Sequence, residues 1–255
     1  MIANYHAHTM RCNHAIGTER EYVETAIQRG LKIFGFSDHT PQYFPGDYCT
    51  HMRMHTYELP EYCMNVRRLQ REYRDRIQIH TGLEVEYYPA FWRDLLMRSK
   101  DTGVEYMILG QHWNGNELNE PYNGRPTADE DQLRRYCHQV ADALETGKFT
   151  YLAHPDVIHF VGDTQVYRHH MRYLARAAKQ TGTPLEINLL GALCGKHYPS
   201  EIFWEIAAEE GCQAILGLDA HAPDHIMNLE MEQRALEMAQ RLGLELLETV
   251  QLRSI

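Results

Sequence analysis

No run of 18 apolar residues occurs in the chain, and no positively charged start leads into an apolar stretch. Neither a membrane-spanning helix nor a secretory leader is therefore expected. Cysteine is sparse and unpatterned. Cys12, Cys49, Cys63, Cys137, Cys194 and Cys212 contain no Cys-x-x-Cys pair and no regular spacing, which argues against a disulfide framework or zinc ribbon and fits a reducing, cytoplasmic setting. Basic residues are in deficit, 25 Lys and Arg against 35 Asp and Glu for a formal charge of −10. Such a balance offers no footprint for tracking nucleic acid, so a small substrate is expected instead. No low-complexity linker divides the 255 residues, a length that α/β barrels reach as one domain, and a single domain over 1–255 is expected.

Histidine is what the chain has in excess, with 16 residues. His is the commonest protein metal ligand and is seldom needed in such numbers for packing. The first pair is His6-x-His8 in Asn4-Tyr5-His6-Ala7-His8-Thr9. On a strand over 2–8, side chains at i and i+2 share one side, so both imidazoles face a common point.

The rest of the chain alternates strand-like and helix-like segments. A capping-box pattern at Thr18-Glu19-Arg20-Glu21 opens a helix ended by Gly30, and a β-rich run over 31–37 stops at Asp38-His39-Thr40-Pro41. An irregular loop over 41–57 carries Arg53, a helix covers 59–74, and a strand over 77–86 puts Glu84 and Glu86 on one face. Further strands over 104–109, 149–153, 184–189 and 214–218 alternate with helices over 91–100, 129–145, 167–180, from 201, and about 224–242. The segment 244–250 reads as one more strand or a tail. Seven strands alternating with helices imply a parallel sheet, and the polar residues gathered just after the strands favour a barrel over an open doubly wound sheet.

The polar residues that end strands are His6, His8, Asp38, His39, Glu84, His112, His154, Asp219 and His221, with His14 in the first loop. Imidazoles mixed with a few carboxylates suit Zn, Fe or Mn better than Mg or Ca. Two or more ions sharing Glu84 would polarise a phosphoryl oxygen and hold a bridging hydroxide as nucleophile, which is hydrolytic chemistry.

In order, His6-x-His8, Ser37-Asp38-His39, Gly82-Leu83-Glu84, Gly110-Gln111-His112, Ala153-His154-Pro155-Asp156 and Asp219-x-His221 resemble the PHP superfamily, in its histidinol-phosphatase-like branch. The resemblance runs essentially end to end. It implies a distorted (β/α)7 TIM-like barrel holding three divalent transition metals. By matching position the first ion takes His6, His8, Glu84 and Asp219, the second Glu84, His112 and His154, and the third His14, His39 and His221. The resemblance also implies arginines from the loops after the fifth and sixth strands as a phosphate clamp, and here the chain departs. Those loops read Val157-Ile158-His159-Phe160 and Leu189-Leu190-Gly191-Ala192-Leu193-Cys194-Gly195-Lys196-His197, so Lys196, His197, His159 or Arg53 are the candidate substitutes. A lysine is a point charge without the planar fork of arginine.

The expected activity is metal-dependent phosphomonoester hydrolysis, with L-histidinol phosphate as one candidate substrate and Asp38 and His197 as candidate acids for the leaving group. The alternatives are a different small phosphorylated metabolite, a phosphodiesterase or exonuclease, and a metal-stabilised binding protein without turnover.

Overall fold

The computed structural model describes residues 1–46, 48 and 50–255; Cys49 lies outside the described residues. Among the described residues eight parallel strands pair in sequence order: β1 Ala3–Asn4, β2 Ile33–His39, β3 Gln78–Val85, β4 Tyr106–Leu109, β5 Phe149–Leu152, β6 Leu185–Asn188, β7 Gln213–Gly217 and β8 Glu245–Leu247. The helices are α1 Glu19–Arg29, α2 Leu59–Tyr73, α3 Pro89–Thr102, α4 Glu130–Glu145, α5 Thr164–Gln180, α6 Leu189–Leu193, α7 Glu201–Glu209 and α8 Leu229–Leu242. This is the distorted TIM-like barrel. Among the described residues no helix is long and apolar enough to cross a membrane.

The sheet curls until the chain beyond β1 meets the chain beyond β7 at an isolated parallel bridge, Ala7 to Ala220. His8 N–H donates to Ala220 O at 2.9 Å across this seam, and Ala220 N–H to His6 O at 3.3 Å. β8 pairs with the opening half of β7, Gln213 to Glu245 through Ile215 to Leu247. Seven strands therefore meet at the mouth, and the eighth fills in at the far end.

Local chemistry explains the element ends. Thr18 and Glu21 form the reciprocal capping box of α1, and Gly30 closes it at φ 90°, a left-handed conformation that suits glycine. Inside the curled sheet, Ala3, Tyr5, Tyr106, Ile108, Tyr151, Ala153 and Ile215 form one apolar cluster. Tyr106 crosses it, donating to Tyr5 O at 2.7 Å and standing 3.1 Å from Phe36 O. Gly35 and Gly82 leave room for its ring, since a Cβ there would stand 2.2 and 2.3 Å from Tyr106 atoms. A larger apolar layer lies between strands and helices.

Some boundaries differ from the sequence expectation. β1 is two residues long, so His6 and His8 lie beyond it and hold their alignment through the seam. The expected start of the last helix near 224 is instead a 3-10 turn, Pro223–Met227, because α8 is capped by Asn228, whose side chain accepts from Met231 N–H. The loop after β6 contains the short helix α6, capped by Asn188 through Gly191 N–H.

Candidate metal centre

The strand ends deliver the polar residues to one mouth. Parallel register sets His39 beside Glu84, and Glu84 Oε2 lies 2.9 Å from His39 Nδ1 and 3.6 Å from His8 Nε2. Its other oxygen, Oε1, lies 2.7 Å from His154 Nε2, 3.5 Å from His112 Nε2 and 3.7 Å from His6 Nε2. Asp219 Oδ1 stands 3.0 Å from His8 Nε2, 3.3 Å from His6 Nε2 and 3.4 Å from His221 Nδ1. His221 Nε2 and His14 Nε2 are 3.0 Å apart. Glycine at 110 is what admits the central carboxylate, because a Cβ there would fall 1.9 Å from Glu84 Oε1.

The outer nitrogens of four rings are committed elsewhere. His6 Nδ1 faces Glu186 Oε2 at 2.8 Å, His112 Nδ1 faces Glu86 Oε1 at 3.0 Å, His14 Nδ1 faces Cys12 O at 2.7 Å and His221 Nδ1 faces Asp219 O at 2.9 Å. A carboxylate or carbonyl can only accept, so each Nδ1 carries a proton, and in the neutral ring each Nε2 turns a lone pair to the centre. That is the tautomer a metal ligand needs.

Burial and charge agree with a cation site. Burial works against the carboxylate charges of Glu84 and Asp219, yet the surrounding histidines hold both well below the usual carboxylate range. Burial also opposes charge on His6 and His8, but the carboxylates outweigh it, raising His6 well above the ordinary range and His8 to about 9. Burial with the nearby His8 pushes His221 down to about 3. Buried polar atoms normally find partners. Among the described residues His8 Nδ1, His39 Nδ1, Glu84 Oε2 and His154 Nδ1 find no hydrogen-bond partner, although His39 and Glu84 almost touch. The triples His14–His39–His221, His6–Glu84–His154, His6–His8–Asp219 and His8–His39–Glu84 each bring their ligand atoms within 4.8 Å of one another. The residues fit divalent transition metals.

Two carboxylates outside the expected set support the centre. Glu186, fully buried on β6, holds His6 and accepts from Asn188 Nδ2 at 2.7 Å; Asn188 Nδ2 also reaches Asp219 Oδ2 at 3.0 Å. Glu86 holds His112. A lone acid alternating with apolar neighbours in Leu185-Glu186-Ile187-Asn188 is the signal that marks Glu186, since a charge buried in a parallel strand requires a partner.

Four other expected residues lie elsewhere. Asp38 sits behind His8, fully buried, accepting from Thr9 N–H at 3.2 Å, from the Thr9 hydroxyl and from His39 N–H at 2.8 Å; it cannot reach a leaving group. Arg53 is also buried, binding Glu86 Oε2 at 2.7 Å, Thr40 O at 2.9 Å and Glu117, so its charge is already matched. His159 and His197 stack at 4.0 Å in a neighbouring cavity shared with Phe160, Tyr167 and Ile202, and His197 Nε2–H donates to Val157 O at 2.9 Å. Lys196 does line the metal mouth, a cavity of about 330 Å³, with Met52, Tyr122, Leu190, Cys194, Tyr198 and His225.

A parallel α/β barrel that collects histidines and shared carboxylates at its strand ends is a metal-centre barrel of the kind that carries chemistry at this face. A family model described as PHP domain matches residues 4–189, and the chain belongs to that family. It is similar to a probable histidinol-phosphatase of Deinococcus radiodurans, 28% identical over 236 residues that cover 88% of each protein. A probable histidinol-phosphatase of Schizosaccharomyces pombe is 26% identical over 257 residues, covering 89% of this chain and 82% of that one. The crystal structure of histidinol phosphate phosphatase from Lactococcus lactis, complexed with zinc, L-histidinol and phosphate, superposes with a TM-score of 0.76 at 22% identity, covering 97% of this chain and 96% of that one. This last likeness is one of fold.

Proposed function

We propose that the protein is a metal-dependent phosphatase that hydrolyses a small phosphomonoester at the barrel mouth, with histidinol phosphate as the first candidate substrate. The observation that carries this reading is Glu84, whose two oxygens face different histidine groups as a bridging carboxylate does. His6, His8, Glu84 and Asp219 would hold one ion, Glu84, His112 and His154 a second, and His14, His39 and His221 a third, each Zn, Fe or Mn. Ions at these positions would polarise phosphoryl oxygens and acidify water. Lys196 supplies a cation to the phosphate, and burial raises the Tyr122 and Tyr198 phenols above their ordinary range, so both stay protonated and can donate to the substrate. The names of the two relatives support the same reaction.

A panel of phosphorylated metabolites that includes histidinol phosphate, assayed with Mn, Fe and Zn, tests the reading. No turnover of any phosphomonoester under all three metals would remove it. Elemental analysis of purified protein is expected to give more than two metal equivalents, and His14→Ala is expected to lose only the third ion. One ion or none in fully reconstituted protein contradicts the three ligand sets.

Lys196→Ala is expected to lower kcat/KM by about 1.5 to 3 kcal/mol, the size of one hydrogen bond to a charged group, while leaving residual turnover because the metal residues are intact. Lys196→Arg is not expected to restore it, since fork and point charge differ in geometry. An unchanged kcat/KM in Lys196→Ala would place this lysine in solvent.

A further inference from the structure

His225 stands on the 3-10 turn after β7 and lines the same cavity as Lys196 and Tyr198. Nothing in its sequence context, Ala222-Pro223-Asp224-His225, marks it out. Its hydrogen bonding does. The backbone N–H of His221 donates to His225 Nδ1 at 3.3 Å. An amide N–H cannot accept, so His225 Nδ1 must present its lone pair and the proton of the neutral ring belongs to Nε2. This reverses the arrangement of His6, His14, His112 and His221, whose Nδ1–H groups are taken up by oxygens and whose Nε2 lone pairs face the centre. Among the imidazoles at this mouth whose Nδ1 has a hydrogen-bond partner named above, four in their neutral form present an acceptor to the centre, and His225 presents a donor.

An Nε2–H cannot bind a cation through that atom, but it suits an oxyanion. His221, whose own Nε2 meets His14 Nε2 at 3.0 Å, fixes the ring through its backbone, so the donor keeps a set place beside the metal residues. Lys196 enters the cavity from the loop after α6, while His225 enters from the loop after β7. One contributes a charge with little directional demand and the other a directed N–H without charge.

We propose that His225 positions the substrate, donating Nε2–H to a non-bridging phosphoryl oxygen while Lys196 neutralises charge on the same group. The role rests on the phosphatase reading, and together the two side chains form an anion clamp built without arginine. No proton is transferred by His225; it binds the phosphoryl group and orients it.

The test uses metal-loaded protein with inorganic phosphate as probe, alongside steady-state kinetics on the best phosphomonoester. His225→Phe removes both the acceptor and the donor, and it is expected to raise the phosphate Kd and the KM about tenfold, as loss of one hydrogen bond to a charged group does. The loss should fall on KM more than on kcat, with metal content held at the wild-type value. His225→Asn keeps an acceptor for His221 N–H and a donor for phosphate, so it is expected to recover part of the affinity. Unchanged phosphate affinity in metal-replete His225→Phe overturns the proposal. So does metal loss in His225→Phe that accounts for the whole affinity change and is reversed in His225→Asn, because His225 would then serve only to hold His221. If wild type binds phosphate and His225→Phe binds it less well, yet no phosphomonoester is hydrolysed, the phosphatase reading fails and the anion donor stands.

Discussion

Glu84→Gln is expected to lower turnover by orders of magnitude and to weaken two metal positions together. The substitution keeps the shape and removes the charge. It also places an amide, half donor, among His154, His112, His6, His39 and His8, whose ring nitrogens lie 2.7 to 3.7 Å from the present carboxylate. An N–H facing imidazole lone pairs gives neither a ligand nor a bridge. Glu86→Gln is the control, because Glu86 holds His112 from behind, with its Oε1 3.0 Å from the outer Nδ1. Its amide oxygen can still accept from His112, so turnover should fall less. Metal content and kcat measured on both variants decide; equal losses would mean that Glu86 is as indispensable as the bridge.

Arg53→Met is expected to cost about 3 to 5 kcal/mol of folding stability, the range found when one partner of a buried ion group is removed. Arg53, Glu86 and Glu117 are 2%, 1% and 6% exposed, so the variant would leave two buried carboxylates facing each other. Burial alone would raise the Glu86 pKa, but Arg53 and the His112 hydrogen bond outweigh it and hold Glu86 down at about 2. A carboxylate depressed in the fold contributes stability above its unfolded pKa, and this is lost as pH falls through the folded value. In wild type that loss runs from about 4.5 down to about 2. The gap between wild type and Arg53→Met should therefore be widest near neutrality and narrow as the pH drops through that window. Chemical denaturation of chelator-treated protein at several pH values checks it. A gap that does not change with pH would mean that the loss comes from packing and not from charge.

The residues that gather at the mouth were legible because, His14 apart, each ends or closely follows a strand, and a parallel barrel sends all such positions to one end. His39 and Glu84, for example, are brought together by strand register alone. The supporting residues were harder to read. His6 and Glu186 are 180 positions apart, and no local period connects them. Arg53 is a further case, since its loop shows a cation near a substrate site but not the two acids that occupy it. The loop after α6 sends Lys196 and Tyr198 into the metal cavity and His197 into the next, and which cavity each faces depends on packing absent from the sequence pattern. Residue type also misled at Asp38, where an acid beside a histidine suggested proton transfer and turned out to accept three hydrogen bonds in the interior.

The seam at Ala7 and Ala220 bears on how the protein is made. His14 and His221 are 207 positions apart in sequence yet meet at 3.0 Å, so ligands from the first loop leave the ribosome long before those beyond β7. A nascent chain cannot assemble this cluster while the late strands are still being synthesised, however much metal the cell supplies. The earlier strands can pair with their neighbours as they emerge, but the join between first and seventh is a contact of long sequence separation and should form late. A metal ion held by residues from both sides of the seam would then favour the closed ring over the open one.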